Sequence, residues 1–433
     1  MAGEVFLQCQ MSKPVMAVAR EGQVVYVLAL IRPGEALQSL RFPLNFGLVL
    51  DRSFSMRGAN LQAVKEGVGL LVDTLTPADY LSVVSFKGKA DVIVPAQPVA
   101  DKAAIKAAVD GMRAWGGTKM SEGLRGALYE LSKYMRPDVV SRMVVLTDGR
   151  TSGDEQECRE LADQARAWGV GIYPMGLGAN WDEMLLDDLG QRSGGMPAEL
   201  VQQPQDVLRI FQQQARQAAA VAVRSTTLAL RLPPGVTARR AVRMLPIVDD
   251  LGEAVLHGAK VEVSLGDLER AATQAVLFEL LIEPRTAGHF RIAQVELSYD
   301  VPLLGLKKQT VRQDVLATFV NDASQAAGVD ETVMAFAQRA NAHRMVNRAL
   351  DEYRRTGRTT VRMAPNVTSM LDDLTRAQLE QLMAGQVSSE QASALMKGIH
   401  TRTRRMTERM EEAVDISESG KSKPRRQAKK TER

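Results

Sequence analysis

The chain has 433 residues, of which 45% are hydrophobic and 24% are charged. This length and composition predict two or three globular domains with ordinary cores. No run of about 18 apolar residues occurs, which excludes a typical transmembrane helix. The N-terminus has no basic patch followed by an apolar core, so we expect no signal peptide. With only two cysteines, Cys9 and Cys158, the sequence argues against a disulfide framework and fits a reducing cytoplasm.

The formal net charge of +4 is unevenly distributed. Seven of the last thirteen residues are basic and one is acidic, so the rest of the chain is close to neutral. Residues 417–433 have almost no apolar side chains, and we predict a disordered basic tail there. The tail could attract nucleic acid or an anionic surface. No interleaved aromatic residues support base stacking, so a flexible solvated terminus is the simpler interpretation.

Residues 1–41 are predicted to contain two β-strands. Val5, Leu7 and Cys9 fall on alternate positions, and residues 24–31 form an apolar run rich in β-branched residues. These strands have no obvious partner in the segment that follows them. We therefore expect them to pair with strands near the C-terminal half of the chain.

Residues 42–220 alternate apolar strands with helical segments. This pattern predicts an α/β domain with a doubly wound, mainly parallel sheet and helices on both faces. Strands are predicted at 44–50, 81–86, 143–146 and 171–177, and helices at 59–75, 102–112, 121–135, 155–168, 182–191 and 205–220.

Three oxygen-bearing side chains follow the first of these strands. Asp51 ends the strand, and the hydroxyls of Ser53 and Ser55 come next at a spacing of two. The carboxyl ends of the strands are where open α/β sheets bind ligands. Mg²⁺ prefers hard oxygen ligands in octahedral geometry. The turn therefore predicts a site for a small divalent cation.

Two further segments complete a known pattern. Gly116-Gly117-Thr118-Lys119-Met120-Ser121 precedes a helix, and residues 141–149 form an apolar strand that ends in Thr147-Asp148-Gly149. Together with the Asp51 turn, these segments resemble the metal-ion-dependent adhesion site of bacterial von Willebrand factor A (VWA) domain proteins. The family pattern of DxSxS, then a threonine, then an aspartate in a (T/S)DG turn falls on Asp51, Ser53, Ser55, Thr118 and Asp148.

The family usually has glycine at the position of Phe54, so this sequence departs from the pattern there. Phe54 keeps every oxygen donor but adds a ring beside the site. The ring either packs inward or forms part of a binding face. We predict that Phe54, Arg52, Gly117 and Lys119 contact a bound partner.

Beyond residue 220 the pattern changes to strands of period two. Residues 221–320 are predicted to form an antiparallel β-sandwich. The α/β domain is either inserted into this sandwich or followed by it in series. Strands are predicted at 225–232, 262–265, 275–283, 290–299 and 310–319. Residues 321–416 are predicted to be helical, with helices at 331–355, 374–383 and 389–410.

Other chemistry is less consistent with these residues. A phosphoryl-accepting aspartate of the haloacid-dehalogenase type needs a second aspartate where Ser53 stands. No phosphate-binding G-x-x-x-x-G-K-[ST] run occurs. The four histidines are isolated from one another in sequence, so zinc is not expected. Helix capping explains a single Asp or Ser at a turn, but not the whole set of oxygen donors.

The resemblance implies a mechanism. Ser53, Ser55 and Thr118 would hold Mg²⁺, or else Mn²⁺ or Ca²⁺, with Asp51 and Asp148 binding directly or through water. An Asp or Glu of a partner protein would fill the remaining position. We therefore predict a cytoplasmic, non-enzymatic docking module or scaffold. Two alternatives stay open: a regulatory subunit of a MoxR- or chelatase-like AAA+ ATPase, and a metal-dependent enzyme acting on a phosphate or carboxylate substrate.

Overall fold

The computed structural model describes residues 4–410, except residues 152, 179, 253–255, 327, 360, 362, 385, 386, 408 and 409. The basic tail predicted for residues 417–433 lies outside the described residues.

Three strands come first in the chain. They are β1 (Val5–Met11), β2 (Val15–Ala17) and β3 (Gln23–Pro33).

A six-stranded, mainly parallel sheet follows. Its strands are β4 (Leu44–Asp51), β5 (Tyr80–Phe86), β6 (Ala90–Pro98), β7 (Val140–Thr147), β8 (Gly171–Leu177) and β9 (Glu199–Val201). Their order in the sheet is β6-β5-β4-β7-β8-β9, with β6 antiparallel at one edge. Strands β4 and β7 are therefore neighbours, and their carboxyl ends meet at one edge of the sheet.

Helices cover both faces of this sheet, as the alternating pattern predicts. They are α1 (Ala59–Thr74), α2 (Lys102–Asp110), α3 (Met120–Ser132), α4 (Glu155–Ala167), α5 (Glu183–Ser193) and α6 (Asp206–Ala219). One core lies between the sheet and α1, α2 and α6. A second core lies between the sheet and α3, α4 and α5. Glycine permits α3 to lie very close to the sheet, because a Cβ on Gly123 would stand 2.8 Å from Phe86 Cδ1 and 2.9 Å from Val49 Cγ1.

The remaining strands build a two-layer sandwich. They are β10 (Val221–Arg231), β11 (Val236–Leu245), β12 (Asp249–Asp250), β13 (Leu256–His257), β14 (Lys260–Glu269), β15 (Gln274–Ile282), β16 (Gly288–Val301) and β17 (Leu306–Val320). The sheet orders are β1-β3-β15-β11-β12 and β13-β14-β10-β16-β17-β2. Both layers thus contain N-terminal strands. The α/β sheet is inserted between two parts of the sandwich.

Strand β3 is central to one layer. It pairs with β1 on one side and, antiparallel, with β15 on the other, from Gln23↔Ile282 to Ile31↔Gln274. Its buried side chains include Val25, Val27 and Ile31, which belong to the sandwich core. Strand β2 pairs with β17 in parallel orientation at the edge of the other layer.

The sequence interpretation missed two long strands, β6 and β11, and four strands of two or three residues each, β2, β9, β12 and β13. Strand β11 carries Arg239, Arg240 and Arg243 among its apolar residues, and register shifts interrupt its pairing with β15, so its period of two is broken. Strand β6 is an edge strand with mostly half-buried or exposed side chains, which leaves a weak apolar signal.

Four helices end the described chain. They are α7 (Glu331–Thr356), α8 (Pro365–Thr368), α9 (Asp373–Ala384) and α10 (Ser389–Arg404). Helix α10 stops at Arg404, short of the predicted residue 410. Helix α7 packs on the sandwich through Val333 and Phe336. Helix α10 packs on the α/β domain, where Arg404 forms a 2.7 Å ion pair with Asp187 of α5. In the part of the chain that the structure describes, no helix is both long and apolar enough to cross a membrane.

Candidate metal centre

Asp51 is held rigidly at the end of β4. Its side chain is fully buried. Oδ1 accepts a 2.7 Å hydrogen bond from the backbone N–H of Ser53, and Oδ2 accepts a 2.6 Å bond from the hydroxyl of Thr147. Since Thr147 ends β7, this second bond joins the ends of two neighbouring strands. The carboxylate is therefore fixed before any ligand arrives.

The serines and the second aspartate form a continuous chain of oxygens. The hydroxyls of Ser53 and Ser55 are 3.0 Å apart, and Ser55 Oγ donates a 2.7 Å bond to Asp148 Oδ1. Asn60 of α1 donates to the other Asp148 oxygen at 3.4 Å. Ser53 is buried, but Ser55 is exposed. The oxygen cluster thus opens to solvent at Ser55.

The loop with Thr118 lies against the Asp51 turn. The Phe54 N–H donates to the Gly116 carbonyl at 3.2 Å, and the Trp115 N–H donates to the Arg52 carbonyl at 2.8 Å. Thr118 itself is half-buried. All three segments that carry the predicted site residues thus meet at the carboxyl end of the sheet.

A second set of contacts fixes the start of α3 to the loop that follows Asp148. The N–H of Met120 donates to the Thr151 hydroxyl at 3.0 Å, and the N–H of Ser121 donates to Asp154 Oδ2 at 2.7 Å. Thr151 also donates to Asp154. Sequence interpretation missed these residues. Their Thr-x-x-Asp spacing is a capping signal, but it does not tell which N–H groups are capped.

Burial disfavours the ionised forms of the two site carboxylates. Desolvation raises the pKa of Asp51, and its hydrogen bonds from Thr147 and Ser53 only partly oppose this effect, while the nearby Asp148 charge adds to it. Desolvation also raises the pKa of Asp148, against hydrogen bonds from Ser55 and Asn60. A divalent cation between these groups would favour their ionised forms.

The chemistry of the donors fits a hard cation. The cluster offers two carboxylates and the serine hydroxyls, which are oxygen ligands of the kind that Mg²⁺ and Ca²⁺ take. Among the described residues, no group of three or more His, Cys, Asp or Glu side chains could hold a metal. The structure does bring two histidines together, His343 and His400, with ring centroids 6.2 Å apart. They lie on α7 and α10, where His400 Nδ1 bonds Glu183 of α5 at 2.6 Å.

Phe54 projects outward rather than into the core. Its side chain is 61% exposed, and the guanidinium of Arg57 lies 3.8 Å from its ring centroid. Among the described non-glycine residues, positive φ occurs at Ser225 and Lys308 only. The turn therefore accommodates a side chain at position 54 without backbone strain.

The other predicted contact residues surround the turn. Arg52 forms an ion pair with Asp91, Gly117 is exposed, and Lys119 is half-buried at the start of α3. Trp115, which sequence interpretation missed, is 66% exposed. On the opposite side, an open cavity of about 570 Å³ adjoins Asp148. Its polar lining includes Asn60, Arg150, Asn180 and Gln202.

Comparison with known sequences agrees with this geometry. A family model described as the von Willebrand factor type A domain matches residues 45–213. The chain is 32% identical over 269 residues to the uncharacterized protein sll0103 of Synechocystis sp., an alignment that covers 61% of this chain and 63% of that protein. It is 27% identical over 167 residues to the uncharacterized protein YfbK of Escherichia coli, covering 37% of this chain and 28% of that protein. The chain thus spans less than two thirds of either relative, and the expected similarity to bacterial proteins is confirmed.

Solved structures share the whole architecture. A von Willebrand factor type A protein from Catenulispora acidiphila superposes with a TM-score of 0.71 at 16% identity, over 92% of this chain and 96% of that chain. The ArnB paralog VWA2 from Sulfolobus acidocaldarius gives a TM-score of 0.54 at 12% identity, over 94% and 99% of the two chains. At such identities the similarity shows the fold alone. Residues 45–213 form a VWA domain, and the sandwich and helices belong to the fold shared with these proteins.

Proposed function

We propose that the oxygen cluster binds a divalent cation, Mg²⁺ or else Mn²⁺ or Ca²⁺, and that this cation docks an acidic residue of a partner protein. Ser53, Ser55 and Thr118 would hold the cation through their hydroxyls, with Asp51 and Asp148 bound directly or through water. The observation that carries the proposal is the chain of oxygens from Ser53 through Ser55 to Asp148, with bonds of 3.0 and 2.7 Å, at an exposed strand end.

The donor set favours an anionic partner ligand. The serine and threonine hydroxyls are neutral ligands, so a cation that they hold directly, with the aspartates bound through water, would remain electrophilic. A carboxylate is a hard anionic ligand, suited to a divalent cation. Because Ser55 is exposed, a side chain from outside can reach the cation. The VWA domain would then act as a docking module.

We propose that docking, rather than catalysis, is the purpose of the site. Asp51 and Asp148 would be occupied by the cation, and the paired histidines lie on α7 and α10. Cytoplasmic location is part of the same proposal and rests on Cys9 and Cys158, both of which are free thiols in the structure. Fractionation of the native cell tests that part separately.

Titration calorimetry with Mn²⁺ and Mg²⁺ tests the cation directly. The full chain should bind one ion, and Asp51→Ala or the double variant Ser53→Ala/Ser55→Ala should remove that binding without changing the far-ultraviolet circular dichroism. Asp91→Ala serves as a control, because Asp91 is a nearby carboxylate that pairs with Arg52 and is outside the oxygen cluster. Equal affinities in the wild type and in Asp51→Ala would refute the proposal.

A further inference from the structure

Two exposed aromatic side chains flank the candidate metal centre on one side. Phe54 belongs to the Asp51 turn, and Trp115 is tied to that turn by its backbone bond to Arg52. Both are more than half exposed, which is unusual for large rings in a folded chain. The Phe54 N–H is bonded to Gly116, the residue after Trp115. The two side chains therefore extend from backbone segments that are bonded to each other.

The same surface is basic. Arg57 stacks on the Phe54 ring. The Lys119 N–H donates to the Lys87 carbonyl at 2.7 Å, which places these two residues side by side. Lys87 and Arg52 share one carboxylate, Asp91. These four cations face Asp91 and Glu157, which interacts with Lys119, and a bound divalent cation would offset the charges of Asp51 and Asp148.

We propose that this aromatic-basic rim, defined as Phe54, Trp115, Arg57 and Lys119, recognises an extended peptide segment of a partner protein. In that segment, the Asp or Glu that reaches the cation has an aromatic or large aliphatic neighbour and further acidic residues. The inference rests on the proposed function and specifies its partner.

Physical complementarity supports this occupant. Tyr, Trp, Phe and Arg are enriched in the residues that carry interface energy, and apolar side chains of the partner would cover the rings. Acidic neighbours would meet Arg57 and Lys119, which raises the association rate and penalises basic partners. The cavity beside Asp148 is lined by Asn60, Asn180 and Gln202 together with Arg150, so the opposite side offers amides and one guanidinium to the peptide. The bound segment would then have a defined direction, with its apolar residue on the rim side.

Selection from a random peptide library tests the proposal. The library is displayed on phage and selected on the immobilised full chain in Mn²⁺, and bound phage are released with EDTA. We expect the released sequences to share an Asp or Glu beside an aromatic or aliphatic residue, within a net acidic segment. Their affinities are then measured with labelled synthetic peptides by fluorescence polarisation.

Variants of the rim separate its role from that of the metal. Phe54→Gly combined with Trp115→Ala should weaken peptide binding by about tenfold or more and leave Mn²⁺ affinity unchanged. Arg57→Glu combined with Lys119→Glu should weaken binding strongly at low salt and less at high salt, because screening reduces surface electrostatics. The matched control is Tyr129→Ala on α3. Tyr129 is also 66% exposed and has a cation, Lys133, 4.9 Å from its ring centroid, but it lies near the far end of the helix.

Each outcome decides one proposal. Peptides that bind both rim variants as tightly as the wild type would overturn the inference about the rim and leave the metal proposal standing. The inference about the rim would also be overturned, with the metal proposal still standing, if the chain bound Mn²⁺ but the library yielded no EDTA-released peptide. Absence of Mn²⁺ binding by calorimetry would instead refute the proposed function.

Discussion

Thr147 and Asp51 are joined by a 2.6 Å hydrogen bond from the threonine hydroxyl to Oδ2 of the buried carboxylate. The Thr147 hydroxyl also accepts a 3.2 Å bond from the Gly149 N–H, on the far side of Asp148. One side chain therefore contacts the first carboxylate and shapes the turn that carries the second. The relative position of Asp51 and Asp148 depends on it.

Replacing Thr147 by valine keeps the size of the side chain and removes the hydroxyl. We expect Thr147→Val to lower the free energy of unfolding by about 1–3 kcal/mol, because a buried carboxylate oxygen loses its donor. Mn²⁺ affinity should fall by about 10- to 100-fold, the usual cost of losing a group that orients a ligand. Thr74→Val is the control, since that hydroxyl bonds a carbonyl of its own helix, Leu71, at 2.7 Å. Urea unfolding and calorimetry measure the two effects, and an unchanged Mn²⁺ affinity would show that Thr147 is only structural.

Helix α3 sets the position of the Thr118 loop through its close contact with the sheet. Gly123→Ala would place a methyl group 2.8 Å from Phe86 Cδ1, which should cost about 1–3 kcal/mol of unfolding free energy through overpacking. Gly69→Ala in α1 is a matched helical substitution with no atom within 4 Å of the new Cβ. It should stabilise the protein by up to about 1 kcal/mol. The melting temperatures of the two variants are compared by thermal unfolding. Equal shifts of the melting temperature would contradict the close packing of α3.

Buried His343 should make the protein acid-sensitive. Burial and the nearby cationic groups of His400, Arg404 and Arg240 lower its pKa from 6.5 to about 3. Between those values the unfolded chain binds a proton that the folded chain does not, so the free energy of unfolding falls as pH falls, by up to about 1.4 kcal/mol per pH unit.

A second group adds to the loss at lower pH. The pKa of Glu183 is lowered from 4.5 to about 2, since the hydrogen bond from His400 and neighbouring positive charges outweigh its burial. The stability that ionised Glu183 contributes is lost below about pH 4.5.

The variant His343→Leu tests the contribution of the buried histidine, and it should flatten the dependence of unfolding free energy on pH between pH 6.5 and 5. His289→Leu, which changes an exposed histidine on β16, should leave it unchanged. Urea unfolding across this pH range would refute the assignment if both variants had the wild-type slope.

The N-terminal strands should be essential for the sandwich. Removal of residues 1–35 deletes β3, which lies between β1 and β15, and exposes the edge of β15 and the sandwich core that Val25, Val27 and Ile31 help to form. We expect the truncated chain to be insoluble. Restoring a synthetic peptide of residues 1–35 during refolding should recover soluble protein. A truncated chain that is soluble and unfolds cooperatively would show that β3 is dispensable.

Local patterns in the sequence were sufficient to predict the α/β domain. Its strands are short apolar runs, its helices have periodic apolar faces, and the carboxyl ends of β4 and β7 meet because the sheet is parallel. Asp51, Ser53, Ser55 and Asp148 consequently come together as the motif predicts. The segment with Thr118 follows because its loop bonds to the same turn.

Long-range details could not be predicted in the same way. Thr147, Thr151 and Asp154 have ordinary polar sequence contexts, and their partners are up to 96 residues away. Strand β11 has three arginines, of which Arg240 and Arg243 find partners in Asp250 and Ser264. His343 and His400 meet only because α7 and α10 pack together. Such contacts depend on tertiary structure rather than on periodicity.

Anomalous scattering from a crystal of the full chain grown with Mn²⁺ tests the central claim most directly. The account predicts one strong anomalous peak within about 2.0–2.5 Å of the Ser53 and Ser55 hydroxyl oxygens, with Thr118, Asp51 and Asp148 within direct or water-mediated reach. The same peak should be missing from a crystal of Asp51→Ala grown in the same solution. A Mn²⁺ peak elsewhere on the molecule, with none at the turn between Asp51 and Ser55, would contradict the account.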